Sequence, residues 1–138
     1  MDLLDNPMDI TEGNEAIDRH YHPAYCPPEA IPFFGVAYDS VKADAWAAGI
    51  LLYKMVTGVY PFMDLRIRHQ FFRICHEPLP LPSFLSPSLK ALLHLLLRKD
   101  WSNRSDLSDA IFHPWVRNAP CKEDLKSLDF NHSLLSIE

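Results

Sequence analysis

The chain has 138 residues, 48% of them hydrophobic and 22% charged, which suits one soluble globular domain with a buried core. Its net charge of -5 excludes a sequence-independent nucleic-acid binder, because such proteins cluster Lys and Arg to displace counterions from phosphates. Cys26, Cys75 and Cys121 are odd in number, far apart and without C-x-x-C spacing, so neither a disulfide framework nor a zinc ribbon is expected, and a cytosolic or nuclear location is. The first residues lack the basic-then-apolar pattern of a secretory signal. The longest apolar segment, 45–53, is about half of the roughly 20 residues a bilayer helix needs, so no membrane role is expected.

Residues 1–22 are acidic and show no sustained period, which predicts a loop that orders only by packing. Pro27-Pro28 then breaks the chain, and Pro28 presets φ for a short helical turn through Glu29, Ala30 and Ile31, stopped at Pro32. A strong helix is predicted over 43–57, closed by Gly58 as a left-handed cap with Pro61 soon after. Apolar residues lie on all its sides: Ala43, Trp46, Ile50 and Val56 with Ala47, Leu51, Leu52 and Met55. Such a helix is expected to be surrounded by protein.

Asp64 is a cap for a helix over 65–75, whose apolar stripe would be Leu65, Ile67, Phe71, Phe72 and Ile74. The alternating prolines of 77–82 forbid a helix and predict an extended connector, without the basic flank of a proline-rich ligand. Ser86-Pro87 supplies an N-cap with proline at N1. Leu89, Leu92, Leu93, Leu96 and Leu97 then form the one-sided stripe of a core helix over 89–98. Ser105 is read as the cap of a helix over 106–112, with Asp106 and Asp109 at the positive end of its dipole and His113-Pro114 ending it. The stretch 118–138 is a polar tail in which Leu125, Leu128 and Phe130 are spaced for a short amphipathic turn.

Few residues suggest chemistry of their own. His20, His22 and Cys26 are zinc-competent types within one short segment, but a fourth ligand is lacking, and no metal site is expected. No G-x-S-x-G, H-E-x-x-H or glycine-rich phosphate loop occurs, and four glycines leave little room for a cradle of backbone amides. Asp5 and Asp9 sit on an acidic loop, where paired carboxylates are solvated charge more often than acid and base.

The order of motifs carries more. Tyr25-Cys26-Pro27-Pro28-Glu29 resembles the x-P-E closure of a protein kinase activation segment. Asp44-Ala45-Trp46-Ala47-Ala48-Gly49, Gly58 and Tyr60-Pro61-Phe62 resemble the D-x-W-x-x-G…G…x-P-F path of the kinase C-terminal lobe. Asn103-Arg104 and His113-Pro114-Trp115 resemble the closing R…H-P-W. Four ordered motifs at the right separations imply a mainly α fold, the helical C-terminal lobe, over residues 23–117. The resemblance implies that Glu29 pairs with Arg104, that Asp44 caps the catalytic-loop backbone, and that His22, Pro23 and Tyr25 belong to a peptide-positioning loop. His22 stands where active Ser/Thr kinases place a threonine that bonds the catalytic aspartate and lysine.

Within kinases the chain is similar to the Tribbles pseudokinases, through the acidic run ending His22-Pro23-Ala24-Tyr25, through Gly58-Val59-Tyr60-Pro61-Phe62-Met63-Asp64, and through Ile111-Phe112-His113-Pro114-Trp115. It departs from them at Tyr21, where the family has glycine, and at His22, where it has cysteine. This resemblance implies a signalling adaptor or scaffold that regulates MAP-kinase cascades or protein degradation, with Ile111, His113, Pro114 and Trp115 docking MAP-kinase kinases. The family's ligase-recruiting D-Q-x-V-P tail motif has no clear match after Ala119, so ubiquitin-ligase recruitment lacks a carrier here. Phosphate loop, nucleotide lysine, catalytic aspartate and metal-binding aspartate find no match in the chain. The expectation is therefore a protein that is not an enzyme and takes no cofactor. The alternative is the C-terminal lobe of an active Ser/Thr kinase of the calcium/calmodulin-dependent type; a helical module unrelated to kinases would require four coincidences.

Overall fold

The computed structural model describes residues 22–31 and 39–119. The expected loop of 1–22, apart from His22, the stop at Pro32 and the tail beyond Ala119 fall outside them. The described residues form helices and turns with no strand among them, as the helical lobe requires. Two 3-10 turns, Pro23–Tyr25 and Pro28–Ala30, precede α1 (Ser40–Thr57), α2 (Ile67–His76) and α3 (Pro87–Leu96). A third 3-10 turn, Trp101–Asn103, leads to α4 (Leu107–Ala110) and α5 (Pro114–Arg117).

α1 starts three residues before its predicted boundary because Asp39 is a better cap than anything nearer Ala43. Its Oδ1 accepts from Val41 N at 2.9 Å and Lys42 N at 3.3 Å. The helix ends as expected, with Gly58 at φ 81° accepting the left-handed turn that a side chain resists. The expectation of enclosure on every side needs correction. Ala43, Ala45, Trp46, Ile50 and Tyr53 are buried, whereas Leu51 is 49% and Met55 73% exposed. Helix α3 and the turns around Pro23 and Trp101 pack on one part of the surface, and the described residues leave the Leu51–Met55 edge open.

α2 also differs from expectation. Asp64 Oδ1 accepts from Arg66 N at 2.9 Å, which holds a turn before the helix and leaves α2 to begin at Ile67. That backbone N–H also keeps the Asp64 carboxyl below the usual carboxylate range. The buried positions are Gln70 and Ile74, while Leu65, Ile67 and Phe72 are exposed. Of the expected stripe, Ile74 is buried and Phe71 packs against the core, while Gln70, outside that stripe, takes the other buried position. α3 follows the pattern closely: Ser86 Oγ accepts from Leu89 N at 3.2 Å, and Leu89, Leu92, Leu93, Leu96 and Leu97 are all buried.

The predicted helix over 106–112 is only the four residues of α4, with Asp106 and not Ser105 at its N-cap. His113-Pro114 ends it and immediately starts α5, where His113 Nδ1 accepts from Trp115 N at 3.2 Å. Pro114 at the first helical position suits the new turn. The proline connector is extended and tethered by Tyr53, whose hydroxyl donates to Pro80 O at 2.7 Å.

In the core, the Trp46 ring stacks on Phe62 with centroids 6.2 Å apart. Lys99 lays its ammonium 3.8 Å from the Phe62 centroid and donates to the carbonyls of Arg73 and Ile74 at the end of α2. Burial pushes that ammonium down to about 8. α1 and α3 approach so closely that a Cβ on Gly49 would come within 2.8 Å of Leu97 Cγ and 2.9 Å of Leu96 Cβ. Alanine ordinarily favours a helix over glycine by up to about 1 kcal/mol. Here Gly49→Ala is expected to lower stability by about 1–3 kcal/mol, because the helices must move apart. Urea unfolding reads the sign directly, and a more stable variant would contradict the close contact.

Candidate functional site

The segment 22–31 packs on the helical lobe through Cys26 and Ile31 in the core and through a buried ion pair. Glu29 and Arg104 are 75 positions apart and lie side by side, 6% and 1% exposed. Arg104 Nη1 donates to Glu29 Oε1 at 2.6 Å and Nη2 to Oε2 at 2.8 Å, a two-pronged match of guanidinium and carboxylate. Two further guanidinium N–H groups reach main-chain oxygens, Nε to Arg98 O at 2.9 Å and Nη1 to Lys42 O at 2.9 Å. Its Cζ lies 5.0 Å from the Trp46 ring centroid. Lys42 closes the arrangement by donating to Arg104 O at 2.5 Å and pairing with Asp106 at 2.7 Å.

The ion pair fixes the Pro28–Ala30 turn, and the preceding turn is then placed beside the start of the loop after α1. His22 Nδ1 accepts from Ala24 N at 3.2 Å and so caps Pro23–Tyr25, with Pro23 at the first position. The His22 ring stacks on Tyr60 at 5.2 Å and meets Tyr25 edge-on at 6.0 Å. Tyr25 and Tyr60 bring their hydroxyls to 3.5 Å, and this contact pushes the Tyr25 phenol up. Lys54 reaches from α1 to lie 4.7 Å from the Tyr60 centroid. From the sequence, His22, Pro23 and Tyr25 are expected here, Tyr60 falls only in a lobe motif and Asp106 only at a helix start, and no role is expected of Lys54 or Lys42. Their roles rest on distances across the fold, and local pattern carries no signal for them.

Asp44 is exposed on α1 and makes no hydrogen bond or ion pair among the described residues. At the corner of α4 and α5, Ile111 is 57% exposed and the neighbouring Phe112 65%. Pro114 is also exposed, His113 is half-buried and caps α5, and Trp115 is half-buried and packs against both parts of the core. His20 lies outside the described residues, so the His20, His22 and Cys26 set has no geometry to compare. Cys26 itself is buried in the core.

Removing either half of the Glu29–Arg104 pair would leave a buried charge without its partner. Glu29→Ala and Arg104→Ala are each expected to cost about 3–5 kcal/mol in denaturant unfolding. Losses below about 1 kcal/mol in both, the range of surface pairs, would show that the pair is not buried as described. Cys26 supplies a pH test. Burial, with smaller contributions from Cys75 and Glu29, pushes its thiol up to about 12 from an ordinary 9.0. The folded state then keeps a proton that the unfolded chain releases, so this contribution is whole below about pH 9 and is lost as pH climbs toward 12. Stability of the wild type is expected to fall more steeply than that of Cys26→Ala between about pH 8 and about pH 11; parallel curves would be inconsistent with a buried thiol.

Comparison with known proteins accords with this geometry. A protein kinase domain model matches residues 8–116. The serine/threonine-protein kinase GRIK2 of Arabidopsis thaliana is 38% identical over 94 residues, 68% of this chain and 23% of that protein. Tribbles homolog 2 of Mus musculus is 37% identical over 98 residues, 71% of this chain and 28% of its own length. CBL-interacting protein kinase 10 of Oryza sativa subsp. japonica is 36% identical over 95 residues, 69% of this chain and 21% of that protein. The chain thus spans about a quarter of the curated relatives it matches. These relatives overturn one expectation. Two of the three are protein kinases by name, as similar to this chain as the Tribbles protein is, so the residues present here do not support the reading that the protein is not an enzyme. The matched span takes in the x-P-E turn tied to Arg104, the buried tryptophan helix and the closing H-P-W turn, and the chain belongs to the protein kinase domain family.

Proposed function

We propose that this chain is the partner-binding lobe of a protein kinase-family signalling protein and acts by presenting preformed docking surfaces to other proteins, in the cytosol or nucleus. The observation that carries this reading is the buried Glu29–Arg104 pair. It holds segment 22–31, the peptide-positioning part of a kinase by resemblance, in one place on a packed helical core. Binding to a preformed surface avoids the entropy of ordering a loop on contact. The Tribbles likeness supports a role as adaptor in MAP-kinase cascades, with the exposed Ile111 and Phe112 corner as the contact for a MAP-kinase kinase. A second reading is favoured by the likeness to GRIK2 and CBL-interacting protein kinase 10: the longer protein that carries this lobe transfers phosphate to serine or threonine. One fold supports both, because function resides in the site and not in the scaffold.

Capture of a purified MAP-kinase kinase by the immobilised chain tests the adaptor reading. Ile111→Glu combined with Phe112→Glu is expected to weaken capture by about tenfold or more while leaving helicity and melting unchanged, since both side chains are exposed. Undiminished capture by the folded double variant would remove this corner from the reading. The second reading is tested by assaying the longer protein with magnesium, ATP and a serine-containing peptide.

A further inference from the structure

At the edge of the lobe, four side chains from three parts of the chain form one small surface. His22 comes from the first turn, Tyr25 from its end, Lys54 from α1 and Tyr60 from the loop after α1. The three rings pack mutually within 6.0 Å of one another. Lys54 is anchored at both ends of its reach: its Nζ lies over the Tyr60 ring and donates to Gly58 O at 2.8 Å. That leaves further ammonium donors unused, and among the described residues no carboxylate lies in ion-pair contact with Lys54. Of the acids four residues away in sequence among the described residues, Glu29 is buried and committed to Arg104, and Asp64 accepts from Arg66 N and lies against His69. Met55 and Val59, next in sequence to Lys54 and Tyr60, are exposed apolar side chains at 73% and 59%.

Every polar group at this corner is one that can donate: a lysine ammonium, two phenol hydroxyls and an exposed imidazole. A cation held over an aromatic face, with apolar neighbours, fits a short segment that carries carboxylates beside a large apolar residue. It repels a basic one. The chain as a whole is acidic, at -5, so a surface of this sign contrasts with the rest and argues against a polyanion such as nucleic acid as the occupant.

We propose that the corner of His22, Tyr25, Lys54 and Tyr60 docks an acidic peptide segment of a protein partner, with Lys54 as the residue that selects carboxylate side chains. This rests on the docking reading above and names the chemistry of the partner at segment 22–31. Lys54 sets specificity, and Tyr60 positions it by holding its ammonium over the ring.

The test uses the full chain and three fluorescein-labelled peptides of one length and one apolar content, rich in Glu, Ala or Lys. Fluorescence anisotropy is expected to show the Glu peptide binding, weakening as salt is raised, and the Lys peptide failing to bind. Lys54→Met keeps the stem and removes the charge, and it is expected to weaken the Glu peptide by about fivefold or more. Lys54→Glu is expected to reverse the preference so that the Lys peptide binds better. Arg117→Met, a distant exposed cation, serves as the control and should change nothing, and circular dichroism verifies that each variant is folded. Equal binding of the Glu and Lys peptides, no binding of any peptide, or a preference that survives Lys54→Glu would overturn the proposal. Capture of a MAP-kinase kinase with no charge preference here would sink this inference alone. Charge-selective peptide binding without such capture would leave it standing and remove the MAP-kinase reading.

Discussion

A carboxylate and a guanidinium taken out of water each lose several kcal/mol of hydration, and a protein tolerates this only where every lone pair and proton is met. Glu29 and Arg104 come close to that condition: two parallel bonds join them, and main-chain oxygens of Arg98 and Lys42 accept from Nε and Nη1. Three separate stretches are thereby fixed against one another, namely the turn at Pro28–Ala30, the first turn of α1 and the loop before α4. The Trp46 ring under the guanidinium connects this polar knot to the apolar core. A pair so placed specifies one arrangement, because any slip of the three stretches would leave charge buried without a partner.

The rest of the lobe is built outward from α1. Its buried side receives α3 at a separation only Gly49 permits, and Trp46 continues through Phe62 to the Lys99 ammonium at the end of α2. The same helix carries Lys54 to the edge where segment 22–31 begins. Positioning of the aromatic corner is thus a consequence of the core and not of local loop preference. Met55 and Leu51 remain open among the described residues, which separates the part of α1 that organises the lobe from the part that faces outward.

Membership of the protein kinase domain family leaves room for more than one activity. The relatives matched include named serine/threonine kinases and a Tribbles protein at nearly equal identity, and each is about four times longer than the matched region. The matched stretch is the part of the fold that both kinds share. Within that stretch, His22, Lys54 and Tyr60 meet at one edge of the lobe.

Local pattern alone determined a good deal. The stop at Gly58, the start at Ser86-Pro87, the leucine stripe of α3 and the proline connector each follow from backbone chemistry that acts over a few residues. The ordered motifs also carried a family resemblance, and it was that resemblance that implied the helical lobe and the pairing of Glu29 with Arg104. Tertiary structure decided the remainder. Asp64 caps a turn in place of a helix, since the chain needed Ile74 and Gln70 inward; His113 caps a second short helix, since Trp115 had to reach the core. Exposure of Leu51 and Met55 depends on which neighbours cover α1, and helical periodicity holds no record of that. Likewise the Lys54, Tyr60 and His22 cluster depends on side chains that meet across a fold, and a linear sequence records which residues are present but not which faces they share.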